Sequence, residues 1–212
     1  MAKAKICGLS TPEGVEAALR GGAAAIGFLF FDRSPRNVSF ETAARLAAPV
    51  KGRAQTVAVV VDPDDAFLDR LTAAFRPDLI QLHGAEDPAR AAQVAARTGC
   101  GVVKVLPVSD SADLAAAAAY EPVVEHLMFE TKPPKGADRP GGHGAPFDWS
   151  VLSGRRFARP WFLAGGLDPW NVAEALQQSG APLADVSSGV ERGPGVKDPA
   201  LISAFLEAVR RA

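Results

Sequence analysis

The stretch Ala4-Lys5-Ile6-Cys7-Gly8-Leu9, followed at once by Ser10-Thr11-Pro12-Glu13, holds the unit from which the chain is built. A short β-type run ends beside a glycine, and hydroxyl residues then precede a proline at a first helical turn. The segment therefore reads as strand, loop and helix start in sequence. The same alternation continues outward to the C-terminus. Further strand-like runs lie near residues 25–30, 55–61, 79–83, 102–106, 126–131, 161–164 and 184–187. Helical character fills residues 12–20, 40–48, 64–75, 87–97, 112–119, 169–178 and 199–211, several of these opened by Asp, Ser or Thr with Pro in the first turn.

Eight successive βα units in 212 residues predict an α/β chain folded as a single (β/α)8 TIM barrel, with a parallel eight-stranded sheet and one domain over residues 1–212. A doubly wound open sheet is the alternative. It is weakened because Gly8 stands alone after the first strand, with no Gly-x-Gly-x-x-Gly. The sixth connection departs from the pattern: a long Pro- and Gly-rich segment, residues 132–144, precedes only a short helix candidate at 148–153. Loops of that length in a compact domain are usually functional.

Composition narrows the function. With 48% hydrophobic and 22% charged residues the chain has material for one sizeable core. A formal charge of -1 and no long basic run argue against nucleic acid or an acidic membrane as partner, and leave a small molecule. The longest apolar stretch, around Ala23 to Phe31, is too short to span a bilayer. Cys7 and Cys100 are far apart and in no metal-ligand spacing, so neither a disulfide framework nor a metal site is expected, and a cytoplasmic location fits.

Polar residues break the apolar pattern at the predicted strand ends: Cys7, Gln81 with His83, Glu130, Gly165-Gly166, and Asp185 with Ser187-Ser188. In a barrel these converge on one mouth. The last two units place Gly165, Gly166, Ser187, Ser188 and Gly189 after strands seven and eight, where backbone N–H groups can cradle a phosphate. Residues two apart share a strand face, so an inward Cys7 places Lys5 inward below it. A buried charge needs a partner, and Asp185 is expected to pair with Lys5 or with Lys104, unless Lys5 snorkels to an edge. An ammonium beside Cys7 would favour its thiolate and make it a base near neutral pH. Cys100 is assigned to packing and His126 to structure. His83 either touches ligand or bonds locally, and His143, in the glycine-rich loop, either approaches substrate or stands apart from it. Arg33 and Arg36, after the second strand, either grip a carboxylate with a bidentate fork or remain solvated.

Taken in order, these segments resemble the phosphoribosylanthranilate isomerase family of tryptophan biosynthesis. The resemblance is carried by Lys5-Ile6-Cys7-Gly8-Leu9, Gly27-Phe28 with Ser34-Pro35-Arg36, and Gln81-Leu82-His83-Gly84. It continues through Gly141-Gly142-x-Gly144 with Phe147-Asp148-Trp149, Leu163-Ala164-Gly165-Gly166-Leu167, and Asp185-Val186-Ser187-Ser188-Gly189-Val190-Glu191. It implies a cofactor-free Amadori rearrangement of N-(5-phospho-β-D-ribosyl)anthranilate to 1-(2-carboxyphenylamino)-1-deoxy-D-ribulose 5-phosphate. Cys7 would be the general base at C2′, and the residue ending strand six the general acid at the furanose oxygen. Arg36 would hold the anthranilate carboxylate, with His83, Gly165, Gly166, Ser187, Ser188 and Gly189 completing a substrate site.

The chain departs from the family where Asp is expected after strand six, because Leu127-Met128-Phe129-Glu130-Thr131 puts Glu130 there. Glu is one methylene longer, and misplacement by about an ångström can cost on the order of 10²-fold in rate. Reduced but real activity is the expectation. A catalytically weak or inactive barrel that binds a phosphorylated ligand is the alternative. A histidine-pathway aminoaldose isomerase, typically using two aspartates, and indole-glycerol-phosphate synthase, which needs catalytic lysines, fit less well. Both a monomer and a homodimer are compatible with the sequence.

Overall fold

The computed structural model describes residues 2–132 and 147–212. Eight strands close into one barrel in chain order: β1 (Lys3–Cys7), β2 (Ala25–Phe30), β3 (Gln55–Val60), β4 (Leu79–Leu82), β5 (Gly101–Val108), β6 (His126–Thr131), β7 (Trp161–Leu163) and β8 (Leu183–Val186). Every neighbouring pair is parallel, and β1 with β8 completes the ring, which excludes the open doubly wound sheet.

Helices α1 (Pro12–Arg20), α2 (Phe40–Ala47), α3 (Asp65–Ala74), α4 (Pro88–Thr98), α5 (Ala117–Tyr120), α6 (Val172–Ser179) and α7 (Pro199–Arg211) return the chain between strands and after the last. Their starts follow the capping residues. Thr11 Oγ1 accepts from Gly14 N, Ser39 Oγ from Thr42 N, Asp64 Oδ1 from Phe67 N and Asp87 Oδ1 from Arg90 N, each satisfying a helix-start donor. The fifth helical region is more broken than expected, a 3₁₀ turn over Asp113–Ala116 running into the four-residue α5. After β6 the described chain resumes with a 3₁₀ turn, Trp149–Leu152.

Strand alternation divides the core in two. On β1, Ala4 and Ile6 join the apolar layer between sheet and helices, whereas Cys7 joins Val57, Val59, Leu79, Val103, Val105, Met128 and Phe162 inside the barrel. Lys5 shares the inward parity of Cys7. It stands directly opposite Asp185 in the β1–β8 register, with Nζ 2.7 Å from Oδ1. The expected pairing of Asp185 is therefore with Lys5.

Lys104 has the parity of Val102 and Leu106 and leaves the barrel on the helix side. There Nζ donates to Gly84 O at 2.8 Å and Glu86 Oε2 at 2.7 Å. Glu86 also accepts from the backbone N–H groups of Asp62 and Gly84, so this buried pair ties β5 to the loops after β3 and β4. Beyond β8, strands β9 (Glu191–Gly193) and β10 (Val196–Lys197) form an antiparallel hairpin that the βα alternation does not announce.

Candidate active site

At the C-terminal ends of the strands one cavity is lined by Cys7, Arg36, Gln81, His83, Glu130, Asp185 and Ser187, with Leu29, Phe31, Val59 and Val61 supplying apolar wall. Residues scattered over 180 positions of sequence thus meet where barrel topology directs them. A larger surface depression between Phe31, Phe40 and Phe67 shares only Phe31 with it and holds none of the polar groups.

Cys7 ends β1 and is buried. Gly27, its register partner on β2, leaves the room: a Cβ there would lie 3.1 Å from both Cys7 Sγ and Lys5 Cε. Burial pushes the thiol above its ordinary range, more than the nearby Lys5 and Lys197 ammoniums pull it down, and Asp185 adds to the rise. The expected acidified thiol is thus corrected in sign. The ammonium is present, but Asp185 neutralises it and desolvation prevails. Burial also disfavours the Lys5 ammonium, yet Asp185 and Cys7 outweigh that and hold it charged.

Glu130, near the end of β6, is buried and reaches the same cavity. Its Oε2 lies 2.8 Å from His83 Nε2, without the alignment of a hydrogen bond. On the other ring edge Gln81 Nε2 stands 3.3 Å from His83 Nδ1. With Nδ1 accepting, the ring proton belongs on Nε2, toward Glu130. His83 therefore bonds locally and faces the cavity as well. Gln81 is 1% exposed, and its Oε1 finds no donor among the described residues.

Arg36 enters from the loop after β2, while Arg33 is exposed on the same loop. The Arg36 fork is already engaged: Nε donates to Glu191 Oε1 and Nη2 to Glu191 Oε2, both at 2.7 Å. Lys197, across the β9–β10 hairpin, donates to Glu191 Oε1 at 2.7 Å and to Ser187 O at 2.8 Å. Burial opposes the Glu191 charge, but Arg36 and Lys197 overcome it and hold the carboxyl below its usual range. Burial lowers Lys197, with Glu191 only partly offsetting it.

The two predicted phosphate loops touch. Gly165 and Gly166 adopt φ of +89° and +66°, a region open to glycine at little cost. A Cβ on Gly189 would lie 1.9 Å from Leu167 O, so only glycine lets the loop after β8 close on the loop after β7. Ser188 opens the 3₁₀ turn Ser188–Val190. Of this group Ser187 lines the cavity, where its Oγ donates to Cys7 O at 3.3 Å and accepts from Lys197. Gly165, Gly166, Ser188 and Gly189 are not among the residues that line it.

Cys100 packs at the start of β5 and donates to Pro77 O. His126 stacks near Phe162, and its Nδ1 is buried without a partner among the described residues. His143 and the Gly141–Gly144 segment lie outside the described residues. Among the described residues no group of three or more His, Cys, Asp or Glu could hold a metal ion, and no helix is long and apolar enough to cross a membrane. Sequence reasoning missed Lys197 and gave Glu191 no role. The available signal was two opposite charges flanking Gly193-Pro194-Gly195, the mark of a short hairpin.

Comparison with known proteins bears on this constellation. Residues 4–208 match the family model described as N-(5'phosphoribosyl)anthranilate (PRA) isomerase. The N-(5'-phosphoribosyl)anthranilate isomerase of Caulobacter vibrioides is 67% identical over 210 residues, covering 99% of this chain and 96% of that one. Phosphoribosyl anthranilate isomerase from Thermotoga maritima superposes with a TM-score of 0.88 at 32% identity, over the full length of both chains. A phosphoribosyl anthranilate isomerase solved in complex with reduced 1-(o-carboxyphenylamino)-1-deoxyribulose 5-phosphate matches with a TM-score of 0.86 at 30% identity, again over both full chains.

Proposed function

The chain belongs to the N-(5'-phosphoribosyl)anthranilate isomerase family, and on that premise we propose that Cys7 and Glu130 are the base and acid of an Amadori rearrangement of phosphoribosylanthranilate. The observation that carries this reading is the meeting of Cys7 from β1, Glu130 from β6 and Arg36 from the β2 loop around one cavity. A thiol and a carboxyl on opposite sides of a small pocket can serve two ends of a sugar.

In this reading Glu130 delivers a proton to the furanose oxygen, the C1′–O bond breaks, and a cationic Schiff base forms. Cys7 as thiolate then removes the C2′ proton, and the electron pair moves into the iminium to give an enolamine, which tautomerises to the ketose. The raised pKa leaves little thiolate in the free protein. Positive charge arriving with the Schiff base favours ionisation beside it. Gln81 Oε1, buried and unfilled among the described residues, is a natural acceptor for a sugar hydroxyl. The glycine loops after β7 and β8 take the 5-phosphate on backbone N–H groups. Acid–base chemistry of this kind calls for no cofactor, and a base that must remain a free thiol suits the reducing cytoplasm.

The test is turnover of phosphoribosylanthranilate, followed by loss of its fluorescence, in the wild type, Cys7→Ala and Glu130→Ala. Each substitution is expected to lower kcat by about 10²–10⁴-fold. Full activity in Cys7→Ala removes the proposed base. Binding without fluorescence decay in the wild type would favour a non-catalytic barrel.

A further inference from the structure

The Arg36 fork that would grip the substrate carboxylate already holds one belonging to the protein. Glu191 is 4% exposed at its side chain, and its carboxylate is saturated: Oε1 accepts from Arg36 Nε and Lys197 Nζ, Oε2 from Arg36 Nη2 and Gly195 N. Lys197, 3% exposed at its side chain, spends its donors on Glu191 Oε1, Ser187 O and Ser187 Oγ. An Arg36–Glu191 pair alone would be neutral and internally satisfied. The second cation changes the sum, because Arg36, Glu191 and Lys197 together carry one positive charge.

Within the triad that surplus is presented by Arg36. Lys197 and Glu191 are buried and fully engaged, whereas Arg36 lines the cavity and its Nη1 takes no part in the pair with Glu191. The stem of Arg36 is laid over Gly8, the residue after Cys7, where an added Cβ would meet Cδ at 2.7 Å. Asp185, the carboxylate nearest Cys7 at the cavity, is paired with Lys5 and leaves the surplus standing.

We propose that Lys197 is a positioning residue for carboxylate recognition: by neutralising Glu191 it lets Glu191 fix the orientation of Arg36 without consuming its charge, which is left for the substrate's aromatic carboxylate. This inference rests on the isomerase reading and names the electrostatic device by which that site would select its substrate. Rigid placement comes from the bidentate fork, and attraction from the cation behind it.

The experiment compares phosphoribosylanthranilate with the N-phosphoribosyl derivative of aniline, which lacks the carboxylate, in the wild type, Lys197→Met, Lys197→Arg and the Glu191→Gln/Lys197→Met double variant. Lys197→Met is expected to raise KM for the carboxylated compound by about ten- to a hundredfold, as for loss of a charge-assisted hydrogen bond. KM for the aniline compound should rise less than about threefold, within the range of a weakly coupled surface contact. Any influence of Lys197 on the Cys7 thiol falls on kcat for both compounds alike. Lys197→Arg should recover most of the loss, and so should the double variant, which restores the single positive charge. Should Lys197→Met fail to fold, the double variant carries the test: the ratio of the two KM values must stay near that of the wild type. Equal rises for both compounds, no rise for either, or no recovery in the double variant overturns the inference alone. Absence of turnover by the wild type overturns the isomerase reading and this inference with it.

Discussion

Lys5 and Asp185 stand opposite each other in the register of β1 and β8, their side chains joined by a 2.7 Å contact inside the barrel at the seam where the first strand meets the last. The pair closes the sheet electrostatically and forms the floor beneath Cys7. Removing one partner leaves an uncompensated buried charge. Lys5→Met or Asp185→Asn should therefore destabilise the protein by about 3–5 kcal/mol in chemical denaturation. Replacing both with apolar residues should recover much of that, and a double variant as unstable as the sum of the singles would contradict the pairing.

The thiol and ammonium at this seam also set a pH dependence. Cys7 is pushed up by burial, and Lys5 is held up by Asp185 and Cys7 against burial. Both folded-state values exceed the unfolded ones, so above the unfolded value of Cys7, about pH 8.5, the native state binds more protons. Stability is full below that pH and declines as pH rises. Urea midpoints should fall between about pH 8.5 and 10, and Cys7→Ala should delay the onset. A wild-type midpoint flat through pH 10 would show that the thiol is not perturbed.

Glu130 approaches His83 to 2.8 Å, and its side chain is one methylene longer than that of the expected Asp. If that length draws the acid off its target, Glu130→Asp raises kcat toward that of a well-placed acid, up to about 10²-fold. A drop in turnover would mean that Glu130 is already well aimed. Steady-state kinetics at fixed pH decides between the two.

Gly189 offers a structural test of the proposed phosphate loops. A methyl group there would strike Leu167 O, so Gly189→Ala must part the loops after β7 and β8. The expected cost is about 1–3 kcal/mol in stability, with weaker inhibition by inorganic phosphate. Unaltered phosphate inhibition in a folded Gly189→Ala protein would place the phosphate elsewhere.

Most of the fold is legible from local chemistry. Strand β2 (Ala25–Phe30), strand β6 (His126–Thr131) and helices α1 and α7 occupy the segments that periodicity and capping predict. The fifth helical region is less legible, because Ala-rich residues after Ser111 fit a helix of any phase and break into two short turns. The β9–β10 hairpin is too short to leave a period.

The site divides along the same line. Strand parity puts Cys7 and Lys5 on one face, and turn signals set Cys7, Glu130 and the glycine loops at strand ends, since alternation and turn formation depend on neighbours in the chain. Three features were decided only by tertiary structure: the pairing of Lys104 with Glu86 outside the barrel, the net rise of the Cys7 thiol, and the occupation of Arg36 by Glu191 with Lys197 behind it. Each depends on distances between residues far apart in sequence, and on how much water barrel closure excludes from around them. Desolvation and Coulomb attraction oppose each other at a buried group, and their balance exists only once the strands have met.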